Sequence, residues 1–274
     1  MFVVVSTDHG TMLVNRMDAL EQTTPDGQSG ACGVGIEILE EGSYQPNEGD
    51  LLLGILELKR QYAGDGVLAI DGGANIGVFT VDWARAMTNW GRVVAFEPQE
   101  RIYYALAGNI TMNNCFNAAA VHAALGNHDG TIPMPVPDYS IYSNFGGLSL
   151  NGSNENFGQE IKDYANVRCL RIDSLNLERC DLIKLDIEGM ELDALQGAEA
   201  TIELHRPVIV AEHTTSGIDP LVALLEPKGY RPFGFGINLV FVHRLDKVLD
   251  HVQHLHKSLV RSAVADAEIT EALA

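Results

Sequence analysis

The sequence predicts an α/β fold built on a doubly wound, mostly parallel sheet, and three observations carry that prediction. Short apolar runs of strand length alternate with helix-patterned segments from about residue 47 onward, as parallel strands with crossover helices require. The first such run passes directly into a glycine-rich turn and a helix, the place where a doubly wound sheet opens its ligand crevice. With 274 residues, 46% of them hydrophobic, the chain is long enough to bury a full core as one large domain with an added lobe.

Residues 1–46 are rich in Gly, Thr, Asp and Gln between short β-branched runs, which reads as a strand-and-loop extension preceding the main fold. From Pro46, Leu52, Ile55, Leu56 and Leu58 fall at helical spacing until Gly64 stops the pattern. A core over 47–245 follows: strand VLAI at 67–70, helix VFTVDWARAM, strand RVVAF at 92–96 and helix RIYYALAGNITMNN. After these come strand AAAVHAAL, strand DLIKLDI at 181–187, one helix MELDALQGAEATIELH, and strand PVIVAEH at 207–213. A sheet of about five parallel strands results. YRPFGFG and NLVFVHR read as two strands pairing antiparallel at the sheet edge, and 246–274 as a closing helix. The polar stretch 137–166 lacks periodicity and reads as a long loop or lid.

The formal charge of −19 repels nucleic acid phosphates and anionic lipid alike, so the expected partner is a small-molecule acceptor, with no nucleic acid and no membrane. The start of the chain has neither a basic leader nor a long apolar run, and no later stretch is apolar enough to span a bilayer, so a cytoplasmic location is expected. Cys32, Cys115, Cys169 and Cys180 form no CxxC pair and read as ordinary thiols. A homo-oligomer is compatible with everything the sequence shows.

Chemistry concentrates in two adjoining segments. The turn Asp71, Gly72, Gly73, Ala74, Asn75, Ile76, Gly77 lets backbone approach a ligand closely. Glu97 ends the next strand, where a carboxylate accepts hydrogen bonds from both hydroxyls of a ribose. Together they predict an adenosine-bearing ligand. A carboxylate at Asp71 does not favour a pyrophosphate but suits a ligand carrying an ammonium and a sulfonium, which S-adenosylmethionine does. A nicotinamide-dependent oxidoreductase is disfavoured further because none of the eight tyrosines has a lysine four residues on.

The segments DGGANIGVFT, VVAFEP, LAGNITMNN, DLIKLDIEGMELDALQGA and PVIVAEH, in that order across residues 66–213, resemble the FkbM-type methyltransferases. The resemblance implies a Rossmann-like class I methyltransferase sheet of about seven strands, mostly parallel with a late antiparallel strand. It implies S-adenosylmethionine as cofactor and methyl transfer, usually to a hydroxyl oxygen. A sugar, polyketide or glycan-like hydroxyl is then the expected acceptor. Asn144, within Ser143-Asn144-Phe145-Gly146-Gly147, matches an Asn- and Gly-rich stretch of that family and is a further cofactor-binding candidate, although plain turn chemistry accounts for it as well.

Methyl transfer requires that the acceptor be held and its proton removed. Asp186 and Glu188 stand at the carboxyl edge of the fourth strand, and His213 at that of the fifth. These three are the catalytic candidates; as an alternative, Glu188 caps the following helix. Asp186, Glu212 and His213 could also ligate magnesium, so a divalent metal stays open, but no metal ligands are predicted. His9 reads as a surface loop histidine. Two other functions stay open: a noncatalytic module that binds an adenosyl cofactor, and a nicotinamide-dependent oxidoreductase.

Overall fold

The computed structural model describes residues 1–23, 29–150 and 158–254. Its centre is a seven-stranded sheet formed by β5 (Val67–Gly72), β6 (Gly91–Phe96), β7 (Ala118–Val121), β11 (Leu182–Leu185), β12 (Val208–Glu212), β13 (Tyr230–Phe235) and β14 (Asn238–His243). The order across the sheet is β13-β14-β12-β11-β5-β6-β7. All neighbours run parallel except β14, which is antiparallel to both β12 and β13. This is the Rossmann-like sheet with a late antiparallel strand that the resemblance implies.

Every side chain of β5, β11 and β12 is buried because both faces of the sheet are covered. Val67, Ala69, Leu182, Val208 and Val210 point into one core, shared with α2 (Pro46–Ala63), α3 (Val78–Ala86) and α4 (Glu100–Met112). Ile70, Ile183, Leu185, Ile209 and Ala211 point into the other, under α5 (Glu191–Gln196), α6 (Glu199–His205) and α7 (Ile218–Leu225). The strict alternation follows from the two-residue period of a strand, and it turns near-continuous apolar runs into two separate cores.

Within the core over 47–245, three elements differ from the sequence reading. The expected strand AAAVHAAL breaks at His122, which stacks on Tyr103; β7 ends at Val121, and β8 (Ala124–Leu125) leaves to pair with β10 (Asp163–Leu170). The single helix expected over 190–205 is two, α5 and α6, because a Cβ at Gly197 would stand 2.0 Å from the Gly126 carbonyl oxygen and Asp173 caps a new start through the N–H groups of Ala200 and Thr201. The 137–166 stretch is not all loop, since its last residues open β10, which pairs antiparallel with β9 (Gly130–Val136); residues 151–157 lie outside the described ones. Of the closing helix expected over 246–274, residues 249–254 are helical and 255–274 lie outside the described residues.

The N-terminal residues form two hairpins, β1 (Phe2–Thr7) with β2 (Gly10–Asn15) and β3 (Leu20–Thr23) with β4 (Ser29–Cys32), and then a helix, α1 (Val34–Glu41), that the sequence reading did not contain. Asn109 of α4 fastens this lobe: it accepts the Leu13 N–H at 2.6 Å and donates to the carbonyls of Leu13 and Ile76. His9 is not a surface residue. It is 6% exposed, with Nδ1 2.6 Å from Asp82 and Nε2 accepting the Tyr44 N–H, because the tight β1–β2 turn tucks it against α3. The four cysteines are free thiols, and among the described residues no helix is long and apolar enough to cross a membrane.

Candidate active site

The strand order reverses beside β5: the chain runs outward through β6 and β7, then returns to β11 on the other flank. A crevice must open at the carboxyl ends of the strands there. A cavity of about 510 Å³ occupies it, lined from the ends of β5, β6, β11 and β12, from the N-terminal lobe (Cys32–Val34, Glu37, Tyr44, Gln45), and from a loop containing Asn144, Gly146, Gly147 and Leu148.

The glycine-rich turn builds one wall. Gly73, at φ 74°, passes so close to the β11 loop that a Cβ would lie 1.8 Å from the Asp186 carbonyl oxygen, and Asn75 follows in the left-handed region at φ 49°. Gly73, Ala74 and Asn75 line the cavity. Asp71, Gly72 and Gly77 do not. A Cβ on Gly72 would crowd Leu125 and Leu185, and one on Gly77 would crowd Leu106, so these glycines serve close packing beneath the wall. Asp71 is fully buried there, accepting the Thr80 hydroxyl at 2.5 Å. It sits opposite Lys184 in the β5–β11 register.

Glu97 lines the next wall. Its carboxylate accepts the Asn75 N–H at 3.0 Å through one oxygen and the Gln99 N–H at 2.8 Å through the other. Burial pushes its pKa up to about 7 despite those two bonds. Each oxygen keeps a second lone pair for a ligand hydroxyl.

Acids converge on the opposite side. Asp186, Glu188 and Glu212 each present an oxygen within 4.8 Å of the others, a spacing that could hold a cation. Burial, then the Glu212 and Asp186 charges, push Glu188 up to about 8; burial, then Asp186, push Glu212 up to about 7. Glu188 is held in the left-handed region at φ 52°, costly for a non-glycine residue. Glu191 imposes that bend, accepting the N–H groups of Ile187 and Gly189 and the Ser216 hydroxyl.

His213 does not line the cavity. The strand's alternation gives that place to Glu212, while the His213 N–H donates to the Ile237 carbonyl. Sequence reasoning also missed Lys184, a 2% exposed cation on the cavity floor whose Nζ lies 3.2 Å from Asp186 and 5.0 Å from the centre of the Phe79 ring. Burial alone would lower its pKa, but the carboxylates of Asp186, Asp71 and Glu48 raise it above the ordinary lysine range. The signal was present, since a lysine inside an apolar strand is seldom buried unless acids pair with it.

The sequence model of the methyltransferase FkbM domain matches residues 71–232. Methyltransferase sdnD of Sordaria araneosa is 31% identical over 192 residues, which is 59% of this chain and 72% of that protein. Methyltransferase 1 of Beauveria bassiana is 25% identical over 150 residues, 49% of this chain and 59% of that one. Among solved structures, a methyltransferase FkbM from Methylobacillus flagellatus KT is similar at 18% identity and a TM-score of 0.44, over 65% of this chain and 43% of that chain.

Proposed function

We propose that this chain, which belongs to the methyltransferase FkbM family, transfers a methyl group from S-adenosylmethionine to a hydroxyl oxygen of a small metabolite such as a sugar, a polyketide or a glycan-like acceptor. The observation that carries the reading is the division of one cavity into a nucleoside wall, Gly73–Asn75 with Glu97, and an acidic wall, Asp186 with Glu188 and Glu212.

The residues present fit the cofactor. Gly73 and Ala74 line the cavity, Gly73 packed so closely on the β11 loop that a Cβ would stand 1.8 Å from the Asp186 carbonyl oxygen, and Glu97 has lone pairs free for ribose hydroxyls. Asn144 lines the same cavity, its Oδ1 accepting the Gly147 N–H at 3.2 Å, and is assigned to the same ligand. Asp71 acts from beneath, ordering the turn through Thr80. When bound, S-adenosylmethionine supplies an electrophilic methyl group on a cationic sulfur, and the acid-rich cavity favours that charge. Asp186 and Glu188 hold the acceptor hydroxyl and take its proton, the higher pKa of Glu188 matching it to proton exchange near neutrality. The N-terminal lobe completes the acceptor side.

Calorimetric titration with S-adenosylhomocysteine and with NADH tests the reading. Binding of the adenosyl ligand, and incorporation of labelled methyl into a hydroxylated acceptor in a metabolite screen, are expected. Binding of NADH alone would overturn it.

A further inference from the structure

Two segments far apart in sequence form the rim of the cavity: Cys32–Glu37 of the N-terminal lobe and the loop at Asn144–Leu148. A single side chain touches both. Asp18, between β2 and β3 and 2% exposed, accepts the Gly35 N–H at 2.9 Å through Oδ2 and the Phe145 N–H at 3.0 Å through Oδ1. Gly35 lies between Val34 and Glu37, and Phe145 between Asn144 and Gly146, all four of which line the cavity.

The backbone around Asp18 repeats the connection. Its carbonyl accepts the Ile36 N–H at 2.9 Å, while Ala19 donates to Ser143 and Ser143 donates to Met17. The fit leaves no slack: a Cβ on Gly33 would stand 2.7 Å from the Asp18 carbonyl oxygen, and one on Gly35 would stand 2.7 Å from the Asp18 Cβ. Among the described residues no lysine, arginine or histidine pairs with this carboxylate. A buried acid without a cation is costly, and among the described residues its bonds run to backbone N–H groups of the two rims.

We propose that Asp18 is a positioning residue that joins the two rims into one cover over the cofactor cavity, so that an adenosyl ligand leaves only when both of its N–H bonds break together. The inference rests on the reading of the cavity as an adenosyl site. It assigns Asp18 no contact with the ligand.

The experiment measures the dissociation rate of S-adenosylhomocysteine from the full chain by surface plasmon resonance, with thermal unfolding alongside. Asp18→Asn keeps size and one acceptor oxygen but turns an N–H donor toward a rim amide. Asp173→Asn is the control, because Asp173 caps backbone N–H groups of α6 in the same way and does not line the cavity. The expected result is a dissociation rate raised about tenfold to a hundredfold in Asp18→Asn, the loss of a charge-assisted bond, and changed less than about twofold in Asp173→Asn at a comparable loss of thermal stability. A folded Asp18→Asn protein that releases the ligand at the wild-type rate overturns the inference alone. A wild type that does not bind the ligand overturns the adenosyl reading, and the inference with it. If Asp18→Asn does not fold, hydrogen exchange of the wild type decides. One common opening free energy for the Gly35 and Phe145 amides, rising equally with ligand, is expected, and independent openings would overturn the proposal.

Discussion

Replacing Glu97 by glutamine separates ligand recognition from folding at one position. In the unliganded chain the carboxylate accepts two backbone N–H bonds, from Asn75 and Gln99, and the amide can accept only one while its NH₂ faces the other donor. A hydrogen bond to a charged group contributes about 1.5–3 kcal/mol, and that much is lost. Against it, burial raises the Glu97 pKa to about 7, so the ionised side chain is itself costly in the fold and the neutral amide relieves that cost. The two effects oppose each other, and the net stability change is expected within about 1 kcal/mol. Ligand binding has no such offset. On the proposed reading ribose hydroxyls donate to the carboxylate, so Glu97→Gln should weaken S-adenosylhomocysteine binding about tenfold to a hundredfold at pH 8.5. The pH dependence fixes the sign. A ligand that donates hydrogen bonds favours the ionised acid, so wild-type affinity climbs as pH rises through about 7, and the ratio of wild type to variant shrinks toward pH 6. Isothermal titration at pH 6 and 8.5 measures both. Equal affinities at pH 8.5, or a ratio independent of pH, would refute the assignment of Glu97 to the ribose.

Three further outcomes are expected. Gly73→Ala combines a left-handed backbone, φ 74°, with a Cβ 1.8 Å from the Asp186 carbonyl oxygen, and should cost about 2–5 kcal/mol in chemical denaturation; a loss below about 1 kcal/mol contradicts the close approach. Lys184→Met leaves Asp71, Glu48 and Asp186 without their cation and should cost about 3–5 kcal/mol, with partial rescue by a second change, Glu48→Gln, and no effect on thermal unfolding would show that the lysine is not the balancing charge. Glu97, Glu212 and Glu188 have folded pKa values raised to about 7, about 7 and about 8, so the unliganded fold binds more protons than the unfolded chain between the ordinary glutamate range and those values. Stability is therefore full below the ordinary glutamate value of about 4.5, falls as pH rises from there to about 8, and levels off above that. A melting temperature that rises across that interval would contradict the raised values.

Periodicity carried the sheet. VLAI, RVVAF, LIKL and VIVAE are short, almost wholly apolar and spaced by helical patterns, so strand identity and parallel direction followed from local composition. What the sequence obscured are the places where tertiary contact overrides a local pattern. Nothing in AAAVHAAL marks the hand-over of Ala124–Leu125 to β10, which depends on a partner some forty residues later. Gly197 looks tolerable inside a helix, and the contacts that mark the break, the Gly126 carbonyl against it and the Asp173 cap at Ala200 and Thr201, come from residues distant in sequence. α1 begins at Gly33 with no side-chain cap and spans two turns, too short to declare itself by period.

The cavity was legible where its chemistry lies in consecutive residues and illegible where it depends on a fold-back. Glu97 and Gly73–Asn75 belong to two continuous strand-turn segments, and their meeting follows from β5 and β6 being parallel neighbours. Choosing between Glu212 and His213 requires the phase of a strand at its last residue, where one position of error moves a side chain to the other face. Asp71 illustrates a subtler limit. An acid after a buried strand has the right charge to face a cationic ligand, yet its place opposite Lys184 in the β5–β11 register sets it in a buried ionic layer with Glu48 and Asp186. Asp71 does not line the cavity, so an effect on the proposed cofactor would run through that layer. With Lys184 raised by three carboxylates and Asp186 shared between that lysine and the acidic wall, a charge arriving near Asp186 is felt by every member. A cationic ligand is therefore met by the whole layer, and Asp71→Asn should weaken S-adenosylmethionine binding more than S-adenosylhomocysteine binding, since the two differ in the sulfonium charge; equal weakening of both in calorimetry would confine Asp71 to holding the turn through Thr80.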